Sequence, residues 1–166
     1  MEAGQPVEAA AYHQVDRASE RTDLGTEVAF TVPVPDRRAT SCITDWAAAD
    51  AALACVVDLA DPPPRPDDVY GLWMGGWVDF GGNTLRVGSA HGDPGRFVHG
   101  DGAELPTGST LSFGDYRCRA DAPDLICVND AHRSAVRLGP GGIETFGCLR
   151  PVPAPPDTGK LFSCAS

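Results

Sequence analysis

Lysine is nearly absent from this chain of 166 residues. Of its 13 basic residues all but Lys160 are arginine, and 23 acidic residues bring the formal net charge to -10. A protein that binds nucleic acid needs clustered cations to neutralise the phosphates. The charge balance therefore argues against nucleic acid as a partner.

Long apolar runs are also missing. No stretch approaches the roughly 20 residues of a membrane-spanning helix, so no transmembrane segment is predicted. The start, MEAGQPVEAAAYHQVDRASE, has neither the basic nor the apolar region of a secretory signal peptide. The chain is therefore either cytosolic, or its export signal or lipid anchor is absent from this chain.

No two cysteines have the C-x-x-C spacing of zinc ribbons and thioredoxin-like sites. The even number of cysteines, in a chain with 19 glycines and 15 prolines, favours disulfides over the alternative of buried free thiols. Disulfides persist in oxidising compartments, so we expect an extracytoplasmic protein, secreted or associated with the cell envelope. The cysteines are Cys42, Cys55, Cys118, Cys127, Cys148 and Cys164.

The common catalytic templates are absent. The sequence contains no G-x-S-x-G elbow, P-loop, G-x-G-x-x-G or H-E-x-x-H. Ser89 and Ser134 each have a histidine two residues away, but neighbours along one strand do not supply the separate nucleophile, base and orienting group of a triad. No catalytic residue is predicted, and a non-enzymatic protein is favoured.

What is present indicates an all-β fold. Only 22% of the residues are charged, and glycine and proline punctuate the chain at short intervals. We predict about ten short antiparallel strands in a single disulfide-stapled sandwich or partly open barrel over residues 25–166. Residues 1–24 are expected to be a flexible tether or to hold a short helix over residues 7–19.

The cysteine positions fix two hairpin registers. If Cys42 faces Cys55, the segment AAAD is a four-residue loop, and if Cys118 faces Cys127, DAPD is another. The remaining pair, Cys148 and Cys164, then closes a proline-rich excursion. Segments WVDF and TLRVG flank the turn GGN and predict a further hairpin, and a strand pair is expected around residues 139–142.

The second hairpin also carries a resemblance. The segment from Leu105 to Cys148 resembles small secreted or lipid-anchored actinobacterial proteins of the mycobacterial type, many of unknown function. The elements that carry it are Leu105, Pro106, Gly108, Gly114, Cys118, Cys127, Asn129 and Phe146. The resemblance covers about residues 28–148 and implies export and paired-cysteine hairpins. It brings no catalytic residues, and DRRAT replaces the Ser-Gly-Asn turn that such proteins have before their first cysteine.

Two copies of His-Gly-Asp lie in AHGDPGRFVHGDG, residues 90–102. One hypothesis makes them a site for zinc or another divalent metal, since imidazole and carboxylate are suitable ligands. The favoured alternative is two glycine-rich turns around a short strand at RFV, because Gly and Asp are typical turn residues. The candidate ligands are His91, Asp93, His99 and Asp101, and no cofactor is expected otherwise.

Aromatic side chains are few, and a third of the 12 lie in YGLWMGGWVDF. If exposed, they would form a contact surface for a ligand or partner, and the favoured alternative is that they fill the core. These residues are Tyr70, Trp73, Trp77 and Phe80. We therefore expect an exported, non-enzymatic module that binds an envelope protein or small ligand. The alternatives are a metal-binding protein or metal-dependent hydrolase, and a purely structural envelope component.

Overall fold

The computed structural model describes residues 4–48, 52–91, 95–97 and 99–164. These ranges contain sixteen β-strands and short 3-10 turns at Ala9–Tyr12 and Gly95–Phe97, with no α-helix. The all-β prediction is confirmed, although with more strands than expected. Within the same ranges, no helix is long and apolar enough to cross a membrane.

The strands are short, and prolines or glycines stand at many of their ends. In chain order they are β1 (Gln5–Pro6), β2 (Gln14–Arg17), β3 (Glu20–Asp23), β4 (Ala29–Val32), β5 (Thr40–Thr44), β6 (Leu53–Val56), β7 (Leu72–Phe80), β8 (Thr84–His91), β9 (Ala103–Glu104), β10 (Ser109–Phe113), β11 (Tyr116–Asp121), β12 (Asp124–Asn129), β13 (Ser134–Gly139), β14 (Gly142–Gly147), β15 (Leu149–Val152) and β16 (Thr158–Cys164).

Two large sheets contain most of these strands. The eight-stranded sheet has the order β15-β16-β8-β7-β6-β5-β4-β9, and the six-stranded sheet has the order β1-β10-β11-β12-β13-β14. Among the described strands, the two-residue β1 and β9 pair in parallel and the other ladders are antiparallel. Strands β2 and β3 form a separate hairpin.

The predicted cysteine pairings are confirmed. Cys42 lies opposite Cys55 on β5 and β6, and Cys118 lies opposite Cys127 on β11 and β12, in the registers that the loops AAAD and DAPD require. The third bridge joins Cys148 to Cys164 and holds the connection between the two sheets against β16. Three disulfides indicate an oxidising environment outside the cytoplasm.

The two sheets pack face to face as a sandwich. One cluster of buried side chains contains inward-facing residues of both sheets, including both buried disulfides. Phe30 and Phe113 meet across it with ring centroids 5.9 Å apart, and Phe80 and Tyr116 meet edge-on at 5.6 Å. The Tyr116 hydroxyl donates to the Phe80 carbonyl over 2.7 Å, and burial raises the pKa of this phenol to about 12.

Strand β7 contains a bulge at Gly75 and Gly76. Met74 pairs with Ser89 and Val78 pairs with Val87, so four steps along β7 correspond to two steps along β8. Strand β7 therefore holds two extra residues. A Cβ on Gly76 would overlap the carbonyl oxygen of Val57, and Val57 N–H donates to the Gly76 carbonyl over 2.9 Å. The bulge therefore needs glycine at this position.

Residues 4–23 differ from the expected tether or helix. The segment starts with β1 in the six-stranded sheet, continues through a 3-10 turn, and ends in the β2–β3 hairpin. Tyr12 joins the main core, and Val15 packs with Ala29 and Ile43 on the outer face of the eight-stranded sheet. Two buried side chains anchor the segment, too few to give a periodic apolar pattern in the sequence.

Candidate functional site

The four predicted contact aromatics have different environments. Tyr70, just before β7, is 93% exposed, whereas Trp77 and Phe80 are each 1% exposed. Trp73 is half-buried, and its Nε1 donates to the Pro63 carbonyl over 3.0 Å. The expected exposure is wrong for Trp77 and Phe80, whose rings are buried, and the contact role stays a prediction for Tyr70 and the half-buried Trp73.

Trp77 is buried on the outer face of β7, not in the sandwich core. Val78 and Phe80 point into the core, and side chains alternate along a strand, so Trp77 points to the outer face. The β2–β3 hairpin packs on the same face. The His91 ring stacks on it with centroids 3.7 Å apart, and Phe97 meets it edge-on at 5.5 Å. These two rings shield the indole from solvent.

The indole of Trp77 orients a buried carboxylate. Its Nε1 donates to Oδ1 of Asp79 over 2.9 Å, and Asp79 is only 8% exposed. Burial raises the pKa of the Asp79 carboxyl above its usual 3.8. No donor among the described residues reaches the second oxygen, Oδ2. Asp79 therefore presents an unfilled hydrogen-bond acceptor.

His91 and Ser89 form a hydrogen-bonded pair on the same strand, β8. Nε2 of His91 lies 2.6 Å from Oγ of Ser89. Burial lowers the pKa of the His91 imidazole below 6.5, which favours the neutral ring. No described residue bonds Nδ1, so the pair lacks the orienting carboxylate of a catalytic triad within the described chain.

These side chains open into one cleft, which we call the Tyr70 cleft. It has a volume of about 510 Å³ and lies on the outer side of the eight-stranded sheet, beside the entrance to β7. Its polar and aromatic lining includes Asp68, Tyr70, Asp79, Arg86, Ser89, His91 and Asp157. Acceptors, donors and one exposed ring therefore face the same space, which is suited to a small polar ligand.

The tandem His-Gly-Asp does not assemble a metal site in the described part of the chain. His91 ends β8 against Trp77, whereas His99 is exposed in a turn. Asp101 accepts from Oγ of Ser41 over 2.6 Å, and Asp93 lies outside the described residues. Across the described ranges, no group of three His, Cys, Asp or Glu side chains could hold a metal ion.

The expected strand at RFV is wrong as well. Gly95–Phe97 is a 3-10 turn, which brings Phe97 against Trp77, and Val98 lies outside the described residues. Phe97 therefore lies over the outer face of the eight-stranded sheet, beside Trp77 and the Val15 cluster.

A second cleft, the Arg38 cleft, occupies the neighbouring part of the same face. It measures about 560 Å³, and its lining includes Arg38, Leu72, Met74, Phe97 and Asp101. Its acidic groups have protein partners, since Asp101 binds Ser41 and Asp16 pairs with Arg21 over 2.8 Å. The Arg38 cleft thus offers fewer unfilled acceptors than the Tyr70 cleft.

Asp79 and Arg86 lie outside the set of predicted site residues, yet the sequence contains a signal for the first. In WVDF, Val78 and Phe80 point inward, so the same alternation places Asp79 beside Trp77 on the outer face. Arg86 lies directly opposite Asp79 on β8. Only the register of the β7–β8 hairpin brings the two together.

Comparisons with protein-family models, curated proteins and solved structures find no match for this chain. Its functional interpretation therefore depends on the geometry of the outer face.

Proposed function

We propose that the protein is an exported module of the cell envelope that binds an envelope partner or small ligand, without catalysing a reaction. The observation that carries the proposal is the exposure of Tyr70 beside the Tyr70 cleft. Its side chain is 93% exposed, although the molecule has a well-formed core for aromatic side chains. Leu72, two residues further on, is 48% exposed and lines the neighbouring Arg38 cleft.

An exposed aromatic ring next to a concave polar surface is a common arrangement at binding sites. The ring supplies a large contact area with little loss of side-chain freedom, and nearby polar groups fix the orientation of the bound molecule. The disulfides Cys42–Cys55 and Cys118–Cys127 lock hairpins in both sheets. A scaffold of this kind is suited to presenting a fixed surface in an oxidising environment.

The proposed location is the envelope or the medium outside the cell. The disulfides support an extracytoplasmic site, and the resemblance of residues 28–148 to secreted or lipid-anchored actinobacterial proteins supports export by such an organism. The same resemblance brings no catalytic residues, and no orienting carboxylate among the described residues is hydrogen-bonded to Ser89 or His91. Both observations favour binding over catalysis.

Affinity capture from actinobacterial envelope extracts tests the proposal. Immobilised wild-type protein is compared with Tyr70→Ala and with the matched control Phe146→Ala, which removes a ring that is 47% exposed on β14. We expect a component that the wild type and Phe146→Ala retain and Tyr70→Ala loses. Identical retention by all three proteins, or no retention by any, would contradict the proposal.

A further inference from the structure

We infer that the ligand of the Tyr70 cleft is a neutral saccharide. The inference rests on the proposed binding function and specifies its ligand class. Its basis is the set of unfilled hydrogen-bonding groups and charges that the cleft presents around one exposed aromatic ring.

The floor of the cleft supplies one acceptor and one donor group side by side. Oδ2 of Asp79 receives no hydrogen bond from the described residues, and Asp79 is only 8% exposed. Arg86 stands opposite it in the β7–β8 ladder and forms no ion pair within the described ranges. A sugar hydroxyl donates and accepts at once, so adjacent hydroxyls can fill Oδ2 and the guanidinium together.

The charges of the cleft favour a neutral ligand over charged ones. Asp68, Asp79 and Asp157 line the cleft, against Arg86 in the lining and Arg96 close to Asp79 and His91, so the balance is still acidic and disfavours an anionic ligand. An ammonium ligand would suit the carboxylates, but it offers no acceptor to Arg86 and is repelled by it. Burial keeps the pKa of the His91 imidazole low, so the ring adds no charge at neutral pH. A neutral ligand rich in hydroxyls satisfies all these groups.

The exposed ring provides the apolar part of the site. Tyr70 projects at the edge of the cleft, where the apolar C–H face of a pyranose or furanose ring can pack on it. Ser89 adds a hydroxyl whose position is held by His91 at 2.6 Å. The site therefore has a flat aromatic contact on one side and paired donor and acceptor groups on the other. This arrangement suits one or two sugar units.

Calorimetry and NMR with a matched panel test the inference. The probes are neutral hexasaccharides of glucose, mannose and galactose, an anionic uronate hexamer and a cationic glucosamine hexamer. We expect binding of at least one neutral probe, weak or no binding of the charged probes, and amide shifts centred on Tyr70, Arg86 and His91.

Three variants and one control locate the binding site. Asp79→Asn retains the acceptor for Trp77 but replaces Oδ2 with a donor, Arg86→Gln removes the cation, and Tyr70→Ala removes a ring that the fold does not need. Each is expected to weaken binding of the neutral probe about tenfold or more, the usual effect of one lost charge-assisted bond or aromatic contact. Phe146→Ala leaves the affinity unchanged.

Each other outcome overturns a defined part of the inference. Preference for the uronate or glucosamine hexamer overturns the ligand class, and neutral-probe binding with shifts confined to the Arg38 cleft overturns the site. If no saccharide binds but an envelope component still requires Tyr70 for capture, the saccharide inference fails and the proposed binding function stands. If Tyr70 also has no effect on capture, both fail.

Discussion

Removal of the disulfides one at a time should show that burial, not loop length, decides how much each contributes to stability. The sequence separations are 13 residues for Cys42–Cys55, 9 for Cys118–Cys127 and 16 for Cys148–Cys164. On chain entropy alone, these loops stabilise the fold by about 2.9, 2.6 and 3.1 kcal/mol, so the third bridge would rank first.

Packing moves the third bridge from first to last in that order. The cysteines of the first two bridges are at most 1% exposed, whereas Cys148 and Cys164 are half-buried. Replacing a buried cysteine with alanine removes a sulfur atom from the core, which costs about 1 kcal/mol or more per site. The double alanine variants of the first two bridges should therefore lose about 5 and 4.5 kcal/mol, and that of the third about 3 kcal/mol.

Urea unfolding followed by tryptophan fluorescence measures the three losses, and the slope of each transition reports how much more surface the uncrosslinked chain exposes. The expected result is that the variant lacking the shortest loop, Cys118–Cys127, is less stable than the variant lacking the longest, Cys148–Cys164. Losses that rise in the order of loop length would refute the assignment of the extra stability to buried sulfur.

Three further predictions concern the outer face and the core. The His91 imidazole should titrate below pH 6.5 by NMR. The stability that depends on the neutral His91 ring is therefore fully present above pH 6.5 and is lost as the pH falls through the lowered folded pKa. Asp79→Asn should lower the pKa of His91 further, because it removes a nearby negative charge. Gly76→Ala should destabilise the fold by about 1–3 kcal/mol in chemical denaturation, because the added Cβ would overlap the Val57 carbonyl oxygen. The control Gly141→Ala should change stability little, because the space around Gly141 is open. Tyr116→Phe should cost about 1–2 kcal/mol, since it leaves a buried carbonyl without its donor, and the wild-type phenol should ionise near pH 12 in an absorbance titration.

The central hairpins could be predicted because two independent constraints agree there. A disulfide between adjacent antiparallel strands fixes which residues face each other, and the period-two pattern fixes which face is buried. For Cys118 and Cys127 both constraints place the sulfurs inward, and the observed ladder has that register. The residues of WVDF and TLRVG likewise pair around the predicted turn.

The environments of the contact aromatics depend on long-range packing that local sequence does not encode. Trp77 points away from the core, as its alternation with Phe80 requires, but it is buried because His91 and Phe97 fold over it from other segments. The two-residue bulge at residues 75–76 further separates it from Trp73. Only Tyr70 keeps the exposure that the binding hypothesis requires.

The disulfides also determine how the molecule would respond to force. Cys42–Cys55 ties two neighbouring strands of one sheet, and Cys118–Cys127 ties two neighbours of the other, so both bridges resist shear within a layer. Neither of these two bridges joins the layers to each other. A load that pulls the layers apart is therefore opposed by side-chain packing and by the connecting chain, while the ladder at each buried bridge stays closed. Each layer can thus keep its crosslinked hairpin after the sandwich has opened.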